Sequence, residues 1–234
     1  MRYRSLRRVE GDVNEFVSRS EAKAHLRVDF TDDDALITSL IVAARRWAED
    51  YCDTTFILSN YTMYLDSFYG PIGSPIQFGL RADGSNIEGR QGTVPNLDVE
   101  LPRPPLSQYD DTGSTSAPVV YYKPSQNSEY TVLSTSLYRV DYTATPGVLR
   151  PLYGQTWPTH LVDQNSVKIV WWAGYNPSAE VNNYTFNVDV FRSAVLMLVA
   201  HLYWNREMTT QQALSEVPMG TKALLDTLRW GSYR

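Results

Sequence analysis

The side chains that could support catalysis or bind a metal are few and lie far apart in the sequence. The chain has three histidines, His25, His160 and His201, and one cysteine, Cys52. A structural zinc site needs about four such ligands at close spacing, and a single cysteine excludes an intrachain disulfide. Cys52 follows the predicted end of a helix, where the helix dipole raises the pKa of a thiol. We therefore predict no metal site and no reactive cysteine.

Acidic residues are the other candidates for chemistry. Asp66, Asp98 and Glu100 fall in a strand-rich region, where two carboxylates could serve as the acid and base of a hydrolase. Any β protein of this size offers such pairs, and the sequence has no G-x-S-x-G elbow, Walker loop or G-x-G-x-x-G motif. The acidic run 32–34 lacks EF-hand spacing. We assign no catalytic residue and no cofactor, and predict a protein that is not an enzyme.

The composition is that of a folded protein rich in aromatic side chains. Of 234 residues, 43% are hydrophobic and 20% are charged, and there are 16 Tyr, 6 Trp and 7 Phe. A net charge of −5 argues against a broad basic face for nucleic acid. Residues 1–17 differ, because they form a basic arm that is either solvated or ordered by an acidic partner or phosphate. Its basic residues are Arg2, Arg4, Arg7 and Arg8.

Helices are predicted near both ends of the chain. Ser18 stands three residues before Glu21, a capping-box spacing that predicts a short helix ending near residue 28. Thr31 is predicted to cap a second helix, in which apolar residues recur at helical spacing as far as residue 51. Four charged residues of this helix fall largely off the apolar stripe: Arg45, Arg46, Glu49 and Asp50.

The third helix is predicted to be buried on several sides. Asp189 can cap it, and its apolar residues surround most of its circumference, as in a core helix or a helix between subunits. A short last helix is predicted over residues 221–230, after a break at Pro218 and Gly220.

The middle of the chain is typical of strands and turns. Six segments have β-branched and aromatic residues in short runs: 56–67, 96–101, 119–123, 130–133, 137–142 and 167–172. A Gly- and Pro-rich stretch at 70–95 predicts a long loop. We predict an α+β fold with a helical core of residues 18–58 and 186–232. An antiparallel β sandwich or small barrel is inserted at 59–185.

Several motifs together resemble a known family. They are SRSEAKAHLRVDFTDDDALITSLIVAARRWAEDYC (18–52), LPRPPLSQ (101–108), VVYYK (119–123), YRVD (138–141), QTWP (155–158), VKIVWWAGY (167–175), LMLVAHLYWNRE (196–207) and VPMGTKALLDTLR (217–229). In this order and spacing they resemble the head–tail connector, or adaptor, proteins of long-tailed phages and prophages. The resemblance covers most of residues 18–230.

The resemblance implies a virion structural protein made in the bacterial cytoplasm and carried in the neck of the particle. Such proteins form a ring beneath the portal, of twelve copies where the ring matches the portal. The implied partners are the portal protein, neighbouring copies and the next neck or tail-completion protein. Genomic DNA passes through the lumen without sequence-specific binding. The start of the chain has no signal-peptide pattern and the longest apolar run is too short for a bilayer, so we expect no membrane partner.

Two sets of residues are predicted to form interfaces. The C-terminal set combines aromatic and arginine side chains, as interface anchors do, although Trp230 folding back on the third helix is an equal alternative. This set is predicted to dock on the portal: Leu224, Leu228, Arg229, Trp230, Tyr233 and Arg234. The second set is predicted to contact a neighbouring subunit or neck protein: Leu196, Met197, Val199, Tyr203, Phe78 and Leu80.

Two other hypotheses remain open from the residues alone. The first is a β-sandwich that binds a glycan or a host surface, because consecutive Trp171 and Trp172 in a strand must point to opposite faces. The second is the carboxylate hydrolase, which would act through Asp98 or Glu100.

Overall fold

The computed structural model describes residues 3–10, 15–68, 98–175, 187–205 and 219–229. Its helices are α1 (Arg19–Leu26), α2 (Asp34–Cys52), α3 (Val188–Trp204) and α4 (Met219–Asp226), with a 3₁₀ turn at Thr135–Leu137. Its strands are β1 (Ser5–Glu10), β2 (Ser59–Leu65), β3 (Val99–Leu101), β4 (Val119–Tyr122), β5 (Thr131–Val132), β6 (Tyr138–Asp141), β7 (Gly147–Pro151) and β8 (Val167–Ala173). The α+β class is therefore confirmed.

The chain divides into a β unit and a helical unit, and each is discontinuous in sequence. The β unit contains Met1–Gly11, Leu58–Pro102 and Leu106–Ala173. The helical unit contains Asp12–Ile57, Arg103–Pro105 and Gly174–Arg234.

In the helical unit the four helices bury one apolar core. The face of α2 that carries Ile37, Ile41 and Ala44 is buried together with Phe191 and Leu198 of α3. Ala48 and Val195 are also 1% exposed, and Leu225 of α4 is fully buried in the same core. The 3.6-residue spacing of the apolar positions on α2 predicted this arrangement, because a helix buries the side chains that share one face.

Helix capping agrees with the sequence at α1 and differs at α2 and α3. Ser18 Oγ accepts the backbone N–H of Glu21 at 3.1 Å, as the capping-box spacing predicted. Helix α2 begins at Asp34 with Asp33 as its N-cap, so the predicted cap at Thr31 is wrong. Helix α3 is capped by Asn187, whose Oδ1 accepts the N–H of Val190 at 3.2 Å. The predicted cap Asp189 instead lies in the first turn, where its charge complements the helix dipole.

Two charged residues of α2 are buried, contrary to their position off the apolar stripe. Arg45 and Glu49 are each 1% exposed. Arg45 donates to Glu49 at 3.0 Å and to both carboxylate oxygens of Glu15 at 3.0 and 3.1 Å. Glu49 Oε1 also accepts the backbone N–H groups of Phe56 and Ile57 at 2.9 and 3.2 Å. The pattern alone did not indicate this burial because Arg45 and Glu49 lie off the apolar stripe, and the second partner of Arg45, Glu15, is 30 positions away.

The β unit contains two antiparallel sheets. One has five strands in the order β1-β2-β8-β4-β5, and the other has three in the order β3-β7-β6. Within the residues that the structure describes, the sheets do not close into a barrel. Side chains of both sheets, including Met63, Ile169, Leu101 and Leu149, form one buried core.

The long strands β2 and β8 alternate strictly between buried and partly exposed residues. Trp171 is 1% exposed and stacks on Tyr61, with ring centroids 5.7 Å apart. Trp172 is partly exposed. The two tryptophans therefore face opposite sides of the sheet, as the period of a strand requires.

Strands β1 and β7 were not predicted. Residues 5–10 pair antiparallel with β2 from Ser5↔Tyr64 to Glu10↔Ser59. The expected solvated arm is therefore replaced, over these residues, by a strand at the edge of the described sheet. Strand β7 begins at Gly147 and ends at Pro151, and these turn-forming residues left only Val148 and Leu149 as an apolar signal for a strand. The predicted loop at 70–95 lies outside the described residues.

Candidate interaction surfaces

The histidines and acidic residues that were considered for chemistry are exposed, partly or mostly buried, or engaged in ion pairs. His25 is exposed at the end of α1, and His201 lies partly buried in α3. Asp98 pairs with Arg150, and Asp66 pairs with Arg4 at 3.0 Å. Glu100 is exposed on β3. In the described part of the chain, no three His, Cys, Asp or Glu side chains gather as metal ligands do.

Among the described residues, a buried Ser–His pair resembles catalytic geometry, and the sequence did not reveal it. His160 Nε2 lies 3.1 Å from Ser67 Oγ and 3.4 Å from the backbone nitrogen of Phe68. Its Nδ1 lies 2.9 Å from the carbonyl oxygen of Pro158. With that nitrogen protonated, Nε2 accepts the Ser67 hydroxyl, as a general base would.

The surroundings of this pair favour a structural role. Ser67 is 4% exposed and His160 is 9% exposed. The Phe68 ring packs edge-on against His160 and stacks on Trp157 with centroids 4.6 Å apart. The carbonyl oxygen of Pro158, and not a carboxylate, contacts Nδ1 of the imidazole. The pair satisfies buried polar groups of two segments that are distant in sequence.

Cys52 is an inert, buried thiol. It is 0% exposed and donates to the carbonyl oxygen of Leu225 at 3.5 Å. Burial raises its pKa to about 12, and Asp226 adds to this rise while Arg229 opposes it. The direction agrees with the sequence prediction, but desolvation is the main cause, whereas the prediction named the helix dipole.

Two acidic residues at the start of α2, Asp33 and Asp34, form hydrogen bonds within the helical unit. Asp34 accepts a hydrogen bond from Lys23 Nζ at 2.6 Å, and Lys23 also donates to the Phe30 carbonyl oxygen at 2.7 Å. The hydrogen bond from Lys23 to the Asp34 carboxylate, together with the charges of Lys23 and Arg19, lowers the pKa of Asp34. Asp33 accepts the hydroxyl of Tyr203 at 2.5 Å. These carboxylates are thus engaged by side chains of their own unit.

The residues predicted to contact a neighbouring subunit divide into two groups. Val199 and Tyr203 are 0% and 5% exposed and belong to the core of the helical unit, so a single copy offers little of their surface to a neighbour, and their interface role stays a prediction. Leu196 and Met197 are partly exposed on α3. Trp204, which follows Tyr203, is 70% exposed. Two further predicted residues, Phe78 and Leu80, lie outside the described residues.

The predicted portal-docking residues are described only in part. Leu224 and Leu228 pack partly buried against the helical core. Arg229 is exposed, and its guanidinium lies 5.5 Å from the ring centroid of Tyr51. The remaining three, Trp230, Tyr233 and Arg234, lie outside the described residues, so their role stays a prediction.

The basic N-terminal residues form contacts across the first two strands. Arg4 pairs with Asp66 through distances of 3.0 and 3.2 Å. The guanidinium of Arg7 lies 5.6 Å from the Tyr64 ring centroid. Arg8 lies 5.9 Å from the Tyr61 ring centroid, and its Nε donates to Ser59 Oγ at 3.0 Å. Arg2 lies outside the described residues.

Comparison with known proteins connects the N-terminal helices to a family. Residues 20–82 match the family model of the phage gp6-like head-tail connector proteins. This connector segment includes most of α1 and all of α2 and β2. The resemblance drawn from the sequence motifs is confirmed here. No curated protein matches the chain.

Solved structures match nearly the whole connector-like chain. A chain from the neck of an empty gene transfer agent particle, computed with C6 symmetry, has a TM-score of 0.62 and 17% identity over 96% of this chain and 95% of that one. A chain from the virion of the native particle has a TM-score of 0.60 and 19% identity over 96% and 94%. A chain from the native neck, computed with C12 symmetry, has a TM-score of 0.55 and 18% identity over 96% and 94%.

At these identities the likeness shows a shared fold. Since each comparison spans both chains almost end to end, the shared fold includes the β unit as well as the helices. None of the helices that the structure describes is long and apolar enough to cross a membrane.

Proposed function

We propose that this protein is a structural component of the neck of a phage-like particle. In this role it forms a ring beneath the portal, joins the DNA-filled head to the tail, and extends the DNA channel. The observation that carries the proposal is the connector-family match of residues 20–82 within a chain whose fold matches neck structures over 96% of its length.

The physical character of the chain supports a conduit for DNA. Phosphate contacts dominate affinity for DNA. A channel lined with many Lys and Arg side chains would therefore bind the genome and slow its passage. A chain with a net charge of −5 meets this requirement. The proposed ring has twelve copies, and the C12 symmetry of one matching neck supports this number.

A stop codon early in the gene tests the joining role. Electron microscopy of lysates from the parent phage or element should show DNA-filled or emptied heads beside free, complete tails. Complementation with the wild-type gene is the control and should restore joined particles. Normally joined particles in the absence of the protein would refute the proposal and bring the glycan-binding hypothesis forward.

The C-terminal segment, Thr221–Arg234, is proposed to dock on the portal. Arg229 is exposed, and it follows the two leucines, Leu224 and Leu228, that pack against the helical core. Deletion of residues 229–234 should abolish co-purification with the portal and leave the circular dichroism of the free protein unchanged. Retained portal binding by the truncated protein would overturn this assignment.

A further inference from the structure

The outer face of the five-stranded sheet carries aromatic and cationic side chains in register. Tyr64 of β2 lies opposite Lys168 of β8, and Lys168 lies opposite Tyr121 of β4. Tyr121 in turn lies opposite Val132 of β5. The neighbouring row contains Arg7. These residues alternate with the buried ones along each long strand, so they share the side of the sheet that faces away from the core.

The cations of this face contact aromatic rings instead of carboxylates. Lys168 Nζ lies 4.0 Å from the ring centroid of Tyr121 and 4.9 Å from that of Tyr130. Lys123 Nζ also lies 4.9 Å from the Tyr130 centroid, and Arg7 lies over Tyr64. Among the described residues, these three cations form no ion pair. Within the described residues, the face therefore carries positive charge that no carboxylate pairs with, on a protein of net charge −5.

Exposed valines flank the charged row and distinguish a protein partner from nucleic acid. Val9 is 67% exposed at one edge of the sheet and Val132 is 57% exposed at the other. A phosphate backbone gains nothing from such apolar groups. The lysines also occupy ring faces on which a base would stack. Tyrosine with cationic and aliphatic neighbours is typical of protein interfaces.

We propose that this outer face, defined by Arg7, Tyr64, Tyr121, Tyr130, Val132 and Lys168, docks against an acidic, apolar-bearing surface of an adjacent copy of the chain. Because the whole chain is acidic while this face is basic, the acidic surplus lies elsewhere on the same chain. A head-to-tail contact between copies joins two different surfaces, and opposite charges on those surfaces set the register. The inference rests on the proposed ring and assigns one of its contact surfaces.

Site-specific photocrosslinking tests which partner covers this face. A benzoylphenylalanine residue replaces Val132, and the same residue at Leu152, 38% exposed beyond β7, is the control. Particles assembled with each variant are purified and irradiated. The Val132 variant should yield an adduct of two copies of this chain, joined through the β5 peptide and absent from the control. An adduct with another protein, an adduct with DNA, or no adduct would overturn the proposal.

Charge reversal gives a second readout. Lys168→Glu should lower incorporation into particles by about tenfold, because it places like charges at the contact. Lys168→Arg, and Arg139→Glu at an exposed position of β6, should incorporate normally. Near-ultraviolet circular dichroism of the purified variants identifies any that misfold. Normal incorporation of Lys168→Glu would refute the inference. Failure of the proposed neck role would give a different result. In the stop-codon experiment, heads and tails would then be joined in particles that lack this protein.

Discussion

Among single residues, Arg45 and Glu49 form the polar centre of the helical unit. Their side chains are 1% and 2% exposed, and Glu49 also binds the two N–H groups through which the chain leaves α2. A buried pair of this kind contributes little beyond an apolar pair of equal volume, but removal of one partner leaves a buried charge uncompensated. Its role is therefore to fix the path of residues 53–57.

Replacement of the buried carboxylate should be costly. We expect Glu49→Ala to destabilise the helical unit by about 3–5 kcal/mol, because Arg45 loses its buried partner and two N–H groups lose their acceptor. Hydrogen exchange of the α2 and α3 amides measures this unit by itself. The matched control is Asp50→Asn, since Asp50 is exposed and pairs with Arg103. The control should cost below ~1 kcal/mol, and an equal cost for both variants would contradict this account.

Cys52 should make the helical unit sensitive to alkaline pH. Its thiol has a pKa of about 12 when folded, whereas an unfolded thiol titrates near roughly 8.5. Between these values the unfolded state loses a proton that the folded state keeps, so stability falls as pH rises. Below the unfolded pKa the contribution is complete.

Urea unfolding at pH 8.5 and pH 10 tests this dependence. The stability difference between wild type and Cys52→Ala should shrink by up to about 2 kcal/mol over this interval, at roughly 1.4 kcal/mol per pH unit. Iodoacetamide should fail to label the folded protein at pH 8.5 and should label it in urea. Labelling at equal rates in both states would show that the thiol is accessible.

Helix caps and apolar periodicity predicted most of the helices and strands, because each of these signals involves residues that are close in sequence. The cap at Ser18 uses a residue three positions away, and the stripe on α2 is periodic within one helix. The same reasoning failed at the N-terminus of α2, where the N-cap Asp33 makes no capping hydrogen bond with its side chain. That side chain instead accepts the hydroxyl of Tyr203, which is 170 positions away. It failed for β1 because edge pairing with β2 is a long-range interaction.

Strand β7 illustrates how close packing can require glycine without a special backbone angle. A Cβ atom on Gly147 would lie 2.6 Å from Leu106 Cδ2 and 2.8 Å from Leu106 Cβ. Leu106 is 5% exposed, so its side chain has little room to move. Gly147 follows Pro146, a pair typical of turns, but in the structure Gly147 is the first residue of β7 and leaves room for Leu106.

Gly147→Ala should therefore destabilise the β unit by about 1–3 kcal/mol through overpacking. Chemical denaturation followed by the fluorescence of buried Trp157 and Trp171 measures the loss. In a Leu106→Gly background, which removes both the Cδ2 and the Cβ atom of residue 106, the same substitution should cost less than about 1 kcal/mol, because the clash is gone. An unchanged cost in that background would exclude Leu106 as the cause.

For the whole molecule, the chain passes repeatedly between its two units. The expected division into residues 18–58 with 186–232 and an insertion at 59–185 remains a proposal. The compact units differ from it because 1–11 join the β unit and 103–105 join the helical unit. Arg103 pairs with Asp50 at 2.9 Å, which holds a short piece of the inserted sequence on α2. Composition cannot indicate such a crossing, since only three residues take part.

The sequence could predict which types of residue form interfaces, but it could not predict which individual residues reach the surface. Aromatic and arginine content indicated that contacts exist, but Val199 and Tyr203 occupy the core, whereas Tyr121 and Lys168 reach the surface together through strand register. Register depends on which strands pair. The proposed contact face therefore required the structure.

Cleavage at Ile87-Glu-Gly-Arg90 probes both the integrity of the β unit and the environment of residues 70–95. A protease specific for this sequence cuts after Arg90, between β2 and β3. The two fragments should remain associated, because β2 pairs with β8 from the C-terminal fragment along its whole length, and β1 pairs with β2. Size-exclusion chromatography of the cut protein should show one peak that separates into two fragments only in denaturant.

The same cut in assembled particles tests the prediction that Phe78 and Leu80, which lie within residues 70–95, contact a neighbouring subunit or neck protein. We expect slower cleavage in the particle than in the free protein, because a covered segment must open before the protease binds. Trypsin cleavage at the exposed Arg139 of β6 provides a comparison site outside this segment. Equal rates at Arg90 in free and assembled protein would show that the segment is uncovered in the neck. The contacts between copies would then have to come from the sheet face and helix α3.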